Sequence, residues 1–224
     1  MSPQPASLIV IAKEPLPGRV KTRLTPPLSA REAALLARAA LVDTLTAVGE
    51  TSAARRVVVL EGRPGDWLPA GFEIVAQRGD GLAVRLAAAF ADVGAPALLI
   101  GMDTPQLDAR LLGRGVALLA DSEHDAVLGP TYDGGYWAIG LARADPRVFD
   151  AIPMSSPDTC AAQRERLAEL GLRVGELPKL RDVDRIEDAR AVAASCPGGL
   201  FARTLAGFAA PPANRSRPPA PRAE

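Results

Sequence analysis

The sequence is poor in the residues that several common kinds of catalysis need. Its 224 residues include one histidine and two cysteines, and aromatic residues make up 4% of the chain. Cys160 and Cys196 are too few for a disulfide framework and their separation matches no zinc motif, so we expect buried free thiols in a reducing compartment. Because His124 lies far from every motif described below, the sequence gives little support to a hydrolase that uses a histidine base.

An excess of charge and long apolar runs are also missing. Lys and Arg together number 26, as do Asp and Glu, which gives a formal net charge of +0. No overall positive field therefore favours nucleic acid or an anionic membrane surface as a partner. The apolar run that begins at Leu8 is much shorter than the core of a signal peptide or a membrane helix. We expect a cytoplasmic protein without a membrane span.

Short apolar runs alternate with helical patterns along the chain. The runs are rich in Val, Ile and Leu and predict strands buried on both faces, at residues 7–12, 56–61, 72–76, 97–102 and 126–129. Ser29 and Glu32 have the spacing of a capping box, and helices are predicted at residues 29–48, 82–93, 108–120, 157–170 and 186–195. This alternation predicts an α/β protein, a Rossmann-like three-layer α/β/α sandwich around a mostly parallel sheet.

The composition changes after Phe208. The remaining stretch, AAPPANRSRPPAPRAE, is rich in proline and arginine and nearly devoid of large apolar side chains. Such a segment cannot bury enough apolar surface to fold. We expect one folded domain over residues 1–208 and a disordered tail over residues 209–224.

The first strand is followed by a concentration of positive charge. The segment AKEPLPGRVKTRL contains Gly18, which permits a close backbone turn, and the cations Lys13, Arg19, Lys21 and Arg23. Ligands of open α/β sheets bind outside the carboxyl ends of the strands, and a mixture of lysine and arginine suits a polyphosphate. A solvated charged loop is the alternative. It is less favoured, because Glu14 is the only carboxylate within the segment.

Acidic residues occur at two positions that suit a metal. Asp103 follows the predicted strand in GMDTP, and RDVDRIED places Asp182 and Asp184 before a helix. Mg²⁺ takes oxygen ligands, usually one or two carboxylates together with waters and phosphates. We therefore expect Mg²⁺ or Mn²⁺ to bind Asp103 and either Asp184 or Asp182. The alternatives are that Asp103 caps the next helix and that the later cluster only balances a helix dipole.

The segment GPTYDGGYWAIG combines aromatic residues with paired glycines. Asp-Gly is a strong turn signal, so a plain β-hairpin is one interpretation. The other is a pocket wall against a base, sugar or acceptor, since aromatic residues are scarce in this chain. On that interpretation the acceptor pocket contains Tyr132, Asp133, Gly134, Gly135, Tyr136 and Trp137.

Together these motifs resemble a known family. A-K-x-P-x-P-G-x-V-K-T-R-L after a strand, G-x-D-x-P, G-P-x-x-D-G-G-Y and a late D-V-D-x-x-E-D are similar to bacterial glycosyltransferase-like proteins of the nucleotide-diphospho-sugar transferase superfamily. The resemblance covers roughly Leu8 to Val192. The first loop is also similar to that of phospholactate guanylyltransferases and, more distantly, of molybdenum-cofactor nucleotidyltransferases.

The resemblance implies a nucleotide-diphospho-sugar transferase fold and roles for individual residues. The first loop, including Lys21, would hold the phosphates of a nucleotide, Asp103 would hold a divalent metal, and Asp184 would supply a second contact. Two positions depart from the pattern. Gly101 stands where glycosyltransferases of this fold typically have the first Asp of a D-x-D pair, and Met154 stands where members often have Trp.

Transfer at a phosphorus or at a sugar carbon fits these residues, because such catalysis depends mainly on positioning and charge neutralisation. We expect a metal-dependent enzyme, with Asp103 and Lys21 at the reacting centre, that transfers a glycosyl group from a nucleoside-diphosphate sugar to a small acceptor. A nucleotidyltransferase that joins an NTP to a small phosphorylated acceptor and a non-catalytic nucleotide-binding module are the alternatives. The expected partners are the nucleotide donor and a small-molecule acceptor, and a homodimer is an open alternative to a monomer.

Overall fold

The computed structural model describes residues 5–209, which form one seven-stranded sheet and six α-helices. The strands are β1 (Ser7–Lys13), β2 (Arg56–Glu61), β3 (Glu73–Ala76), β4 (Ala97–Gly101), β5 (Ala126–Pro130), β6 (Tyr136–Leu141) and β7 (Val174–Glu176). The α-helices are α1 (Ala30–Glu50), α2 (Leu82–Val93), α3 (Ala109–Ala120), α4 (Thr159–Glu169), α5 (Ile186–Ser195) and α6 (Leu200–Ala209). Short 3-10 helices lie at Thr22–Leu24 and Pro146–Phe149.

The strand order in the sheet is β3-β2-β1-β4-β6-β5-β7. All neighbouring strands are parallel except at β6, which runs antiparallel to both β4 and β5. The strands in the middle of the sheet are buried on both faces, which explains why their sequences are continuously apolar. This topology confirms the predicted mostly parallel sheet.

Helices cover both faces of the sheet. On one face Leu8 and Val10 of β1 share an apolar cluster with Leu41 of α1 and Leu112 of α3. On the other face, Ile9 belongs to a second cluster together with residues of β2, α2 and α4, among them Val57, Phe90 and Leu167. The alternation of neighbouring β1 side chains between the two clusters confirms the three-layer α/β/α architecture.

Several predicted boundaries are confirmed. Ser29 caps α1, and its side chain and that of Glu32 form the reciprocal capping box. The helices predicted at residues 82–93 and 186–195 have those bounds. The prediction that the strand near residues 72–76 is buried on both faces is wrong, because β3 lies at the edge of the sheet and Ile74 is 43% exposed.

Two elements were not predicted, namely β7 and α6, and β6 was expected only as the second strand of a possible hairpin. The helix α6 packs on α1, and Phe201 is buried between them. The Asp43 carboxylate of α1 accepts hydrogen bonds from the backbone N–H groups of Leu200 and Phe201, at 2.9 and 2.8 Å. An α1 side chain therefore satisfies donors in the first turn of α6 that the helix itself cannot satisfy.

The predicted tail at residues 209–224 lies, apart from its first residue, outside the described residues. Within residues 5–209, none of the helices combines the length and the apolar character that crossing a bilayer requires. Cys160 is buried and Cys196 is partly buried, and both are free thiols.

Candidate functional site

A cleft of about 640 Å³ lies at the carboxyl ends of β1 and β4. Parallel strands end at the same edge of a sheet, so side chains that are distant in sequence meet there. Residues 12–24, which we call the phosphate loop after the role that the sequence predicts for them, supply one wall. Of the residues predicted for the site, those that line the cleft are Lys13, Arg19, Lys21, Arg23, Asp103, Asp182, Asp184, Tyr136 and Trp137, whereas Gly18 does not line it.

Carboxylates from distant parts of the chain balance the cations of the phosphate loop. Lys21 Nζ lies 2.9 Å from Asp103 Oδ1, and Arg23 NH1 lies 2.6 Å from Asp184 Oδ2. Lys13 and Arg19 both approach Glu61, at 3.5 and 3.8 Å. The local sequence suggested a loop short of balancing carboxylates, but the fold brings in three of them. Anions and metals that enter the cleft therefore meet a set of paired charges.

Lys21 is held in place more firmly than its neighbours. Its backbone adopts φ 50 and ψ 36, a left-handed conformation that is uncommon for residues other than glycine. Its side chain is only 8% exposed. Besides pairing with Asp103, the ammonium group donates a hydrogen bond to the backbone carbonyl of Val183. The fold thus links the phosphate loop directly to both acidic segments, which suits a group that must be positioned in advance.

Asp103 and Asp184 face the cleft and do not cap helices. Asp108, not Asp103, caps α3 by accepting a hydrogen bond from Leu111 N at 2.7 Å. Asp188, not Asp184, accepts the hydrogen bond from Arg185 N at the start of α5. Asp108 therefore takes the capping role that was the alternative for Asp103, and Glu187 and Asp188 are the acidic residues in the first turn of α5, where they face the helix dipole.

Asp182 joins these two carboxylates in the cleft. Burial raises the pKa of the Asp182 carboxyl to about 7, and the negative charges of Asp103, Asp133 and Asp184 contribute to the rise while Lys21 opposes it. Asp182 thus lies close enough to other carboxylates for their charges to disfavour its own. A divalent cation would relieve this repulsion, since carboxylate oxygens are the donors that Mg²⁺ and Mn²⁺ prefer.

The residues present fit a metal ion whose coordination is completed by the phosphates of the substrate. Within residues 5–209, no three His, Cys, Asp or Glu side chains are grouped so as to form a metal site by themselves. Mg²⁺ commonly binds one or two carboxylates and completes its octahedron with waters and substrate phosphates. Asp103 with Asp182 or Asp184, which line the cleft together with the phosphate loop, would provide such a partial ligand set.

The raised pKa of Asp182 predicts a pH-dependent cost to stability in the metal-free protein. The folded chain keeps a proton on Asp182 between about pH 4 and 7, where the unfolded chain has lost it. Because the unfolded state then binds fewer protons, this group's contribution to stability falls as pH rises through that range and levels off above it. Asp182→Asn removes the effect, so its melting temperature should fall less than that of the wild type between pH 5 and 8.

Asp66→Asn is a suitable control for this measurement, because Asp66 is exposed and lies outside the cleft. Its melting temperature should follow that of the wild type across the range. Parallel curves for the wild type and Asp182→Asn would contradict the assignment of a high pKa to Asp182.

The predicted acceptor pocket divides into two parts. Tyr136 and Trp137 begin β6 and line the cleft. The Tyr136 hydroxyl donates to Gln163 Oε1 at 3.2 Å, and burial raises the pKa of this phenol. Trp137 is 2% exposed and its Nε1 donates to the carbonyl of Pro178 at 3.0 Å. These two aromatic residues form a fixed inner wall of the cleft.

The residues from Tyr132 to Gly135 form the turn between β5 and β6 and are not among the residues that line the cleft. The hairpin interpretation of this segment thus holds for its local structure. The side chain of Tyr132 is exposed, with Lys179 and Arg181 over its ring at 5.0 and 5.3 Å from the centroid. Gly134 packs against the backbone of Pro157, which fixes the turn against the segment before α4.

Three polar residues beside the cleft were missed by sequence reasoning. Gln77 follows β3 and donates from Nε2 to the carbonyls of Ala12 and Val59, at 2.7 and 3.1 Å. Arg85 of α2 contacts both Gln77 and the Glu61 carboxylate at the end of β2. The sequence contained a signal that would have identified two of them. Glu61 ends one predicted strand and Gln77 directly follows another, and the same kind of position drew attention to Lys13 and Asp103.

Comparison with protein families identifies a family for this chain. The model of the family described as "Uncharacterized protein conserved in bacteria (DUF2064)" matches residues 33–156, more than half of the chain. No curated protein matches the sequence.

Solved structures share the fold. A protein from Desulfovibrio desulfuricans G20, described as a "putative nucleotide-diphospho-sugar transferase", is 28% identical with a TM-score of 0.79, and the match covers 92% of this chain and 94% of that one. The manganese complex of Rv0371c from Mycobacterium tuberculosis H37Rv is 20% identical with a TM-score of 0.52, and covers 84% and 97%. A 2-C-methyl-D-erythritol 4-phosphate cytidylyltransferase from Thermus thermophilus is 16% identical with a TM-score of 0.51, and covers 85% and 98%. The chain has the nucleotide-diphospho-sugar transferase fold.

Proposed function

The chain belongs to the bacterial DUF2064 family, and from that premise we propose that it is a metal-dependent transferase that uses a nucleotide-activated donor. The reaction we favour is glycosyl transfer from a nucleoside-diphosphate sugar to a small acceptor. The observation that carries the proposal is the 2.9 Å contact between Lys21 and Asp103 inside the cleft. This contact joins a cation that can bind a phosphate and a carboxylate that can bind a metal ion.

The phosphate loop would bind the diphosphate of the donor. Lys21 is buried and fixed, so it offers a single positive charge at a defined position. Arg19 and Arg23 offer exposed, planar guanidinium groups. Asp103, with Asp182 or Asp184, would hold Mg²⁺ or Mn²⁺ opposite the loop. When bound, the metal supplies positive charge that stabilises the leaving diphosphate. A manganese complex of a protein with the same fold is consistent with this choice of metal.

The inner wall of the cleft would receive the sugar and the acceptor. Tyr136 is held in place by a hydrogen bond to Gln163, and the almost fully buried Trp137 by one to Pro178, so the start of β6 is a rigid wall beside the phosphate loop. Ser155 also lines the cleft, in a left-handed backbone conformation with φ 59. A wall that extends beyond the phosphate loop favours a donor that carries a sugar.

Nucleotidyl transfer is the second candidate. Arg85 lines the cleft in addition to the four cations of the phosphate loop, and this number of positive groups suits a triphosphate. A cytidylyltransferase shares the fold, at 16% identity. A non-catalytic nucleotide-binding module is less favoured, because binding alone gives little reason to place several carboxylates opposite the phosphate loop.

A thermal-shift panel tests the proposal. It uses nucleoside triphosphates and nucleoside-diphosphate sugars of each base, with and without Mg²⁺, because a ligand that binds the folded state raises the melting temperature. We expect the largest metal-dependent rise with one nucleoside-diphosphate sugar. The largest rise with a triphosphate would favour nucleotidyl transfer, and the absence of any metal-dependent rise would contradict both reactions.

A further inference from the structure

A second cavity of about 740 Å³ lies next to the cleft. It is lined by three arginines, Arg23, Arg185 and Arg190, and by Glu187, Pro26 and Pro27. The lining thus contains three arginines and one carboxylate-bearing residue. Arginine presents a planar fork of donors, which matches the oxygens of a phosphate or a carboxylate.

Arg185, the residue before α5, and Arg190 within it keep their charge available. Arg23 pairs with Asp184 at 2.6 Å. Arg185 and Arg190 are exposed, and neither forms an ion pair with any carboxylate in the described part of the chain. The carboxylate of Asp188 in the same helix is taken by Arg181 at 3.0 Å and by the backbone of Arg185. The cavity thus has a net excess of positive charge.

Arg23 connects this cavity with the cleft, because it lines both. Its partner Asp184 lies in the cleft and is followed directly by Arg185, which lines the second cavity. A ligand whose phosphates lie on the phosphate loop could therefore extend an anionic group past Arg23 towards Arg190. The two prolines form an apolar wall beside this path.

We propose that the second cavity is a subsite for an anionic group, a phosphate or a carboxylate, bound by Arg185 and Arg190. The inference rests on the proposed function for the origin of that group. It is either the terminal phosphate of a nucleoside triphosphate or the acidic group of the acceptor. The chemistry that the subsite recognises is the same in both cases.

Arg190→Gln tests the subsite, with Arg114→Gln as the matched control because Arg114 is an exposed α3 residue that lines neither cavity. Inorganic phosphate is titrated into the protein saturated with Mg²⁺ and the nucleoside diphosphate that stabilises it most. We expect phosphate to bind the wild type and Arg114→Gln alike, and to bind Arg190→Gln about tenfold more weakly, the effect of losing one charge-assisted contact. Equal affinity in all three proteins, or no binding to the wild type, would overturn the proposal.

Two further measurements test the subsite independently of the proposed function and identify the anionic group that it binds. If no nucleotide binds, the proposed function fails, and titration of phosphate into the nucleotide-free proteins still decides the subsite by the same comparison. If Arg190→Gln weakens the binding of the triphosphate but not of the diphosphate, the subsite holds the terminal phosphate of the donor. If both nucleotides bind the variant normally while phosphate binds weakly, the subsite holds an acidic acceptor.

Discussion

Replacing Asp103 with Asn is expected to weaken metal-dependent nucleotide binding by at least tenfold and to leave the fold intact. The amide is nearly the same size but carries no charge, so it is a poor ligand for Mg²⁺ and no longer pairs with Lys21. The effect is large because Asp103 is the only acidic residue at the end of β4, since Gly101 stands where the resemblance to glycosyltransferases leads one to expect a second carboxylate. Lys21 remains anchored by the carbonyl of Val183, which should preserve the loop.

Calorimetry of nucleotide binding with and without Mg²⁺ measures this effect. Asp66→Asn provides the control, because it makes the same chemical change at an exposed position outside the cleft. The control should keep the wild-type ratio of affinities with and without the metal. If Asp103→Asn kept that ratio as well, Asp103 would not be a metal ligand.

Gly134→Ala is expected to destabilise the protein by about 3 kcal/mol or more, because it combines backbone strain with a severe clash. Gly134 has φ 93, a conformation that L-residues rarely adopt. A Cβ atom there would lie 1.9 Å from the carbonyl oxygen of Pro157. Relief requires the turn between β5 and β6 to separate from the segment before α4, which would also disturb the wall formed by Tyr136.

Gly171→Ala separates strain from clash. Gly171 also has a positive φ, 71, but nothing lies within 4 Å of a Cβ built at that position. We expect this variant to lose only about 1 kcal/mol, the cost of the left-handed conformation alone. Urea unfolding curves of both variants give the comparison. Similar losses would mean that the turn moves away from Pro157 without a significant cost.

Local sequence signals predicted the elements whose own residues carry a capping motif or a continuous apolar run. The capping box of Ser29 and Glu32 marked the start of α1, and the continuous apolar runs marked β1, β2 and β4. The rule that ligands bind at the carboxyl ends of strands drew attention to Lys21 and Asp103, which the fold brings into contact.

The parts of the fold and of the site that the sequence did not predict depend on contacts between residues that are distant in the chain. The three-residue β7 is too short for a periodic pattern. The first turn of α6 donates hydrogen bonds to the carboxylate of Asp43, which lies 157 residues before Leu200. The exposure of β3 follows from its place at the edge of the sheet, which its own sequence does not specify. For the same reason the carboxylates that pair with the phosphate loop were not recognised as its partners, because Glu61, Asp103 and Asp184 are brought to it only by folding.

Calorimetric titration of the wild-type chain tests the central claim most directly. The ligands are a nucleoside-diphosphate sugar and the matching triphosphate, each with and without Mg²⁺, and the base is the one identified by the thermal-shift panel. We predict that the sugar-bearing diphosphate binds more tightly than the triphosphate, and at least tenfold more tightly with Mg²⁺ than without it, a difference of about 1.4 kcal/mol. Affinities that are the same with and without the metal for both ligands would contradict the claim that the cleft binds a nucleotide together with a divalent cation.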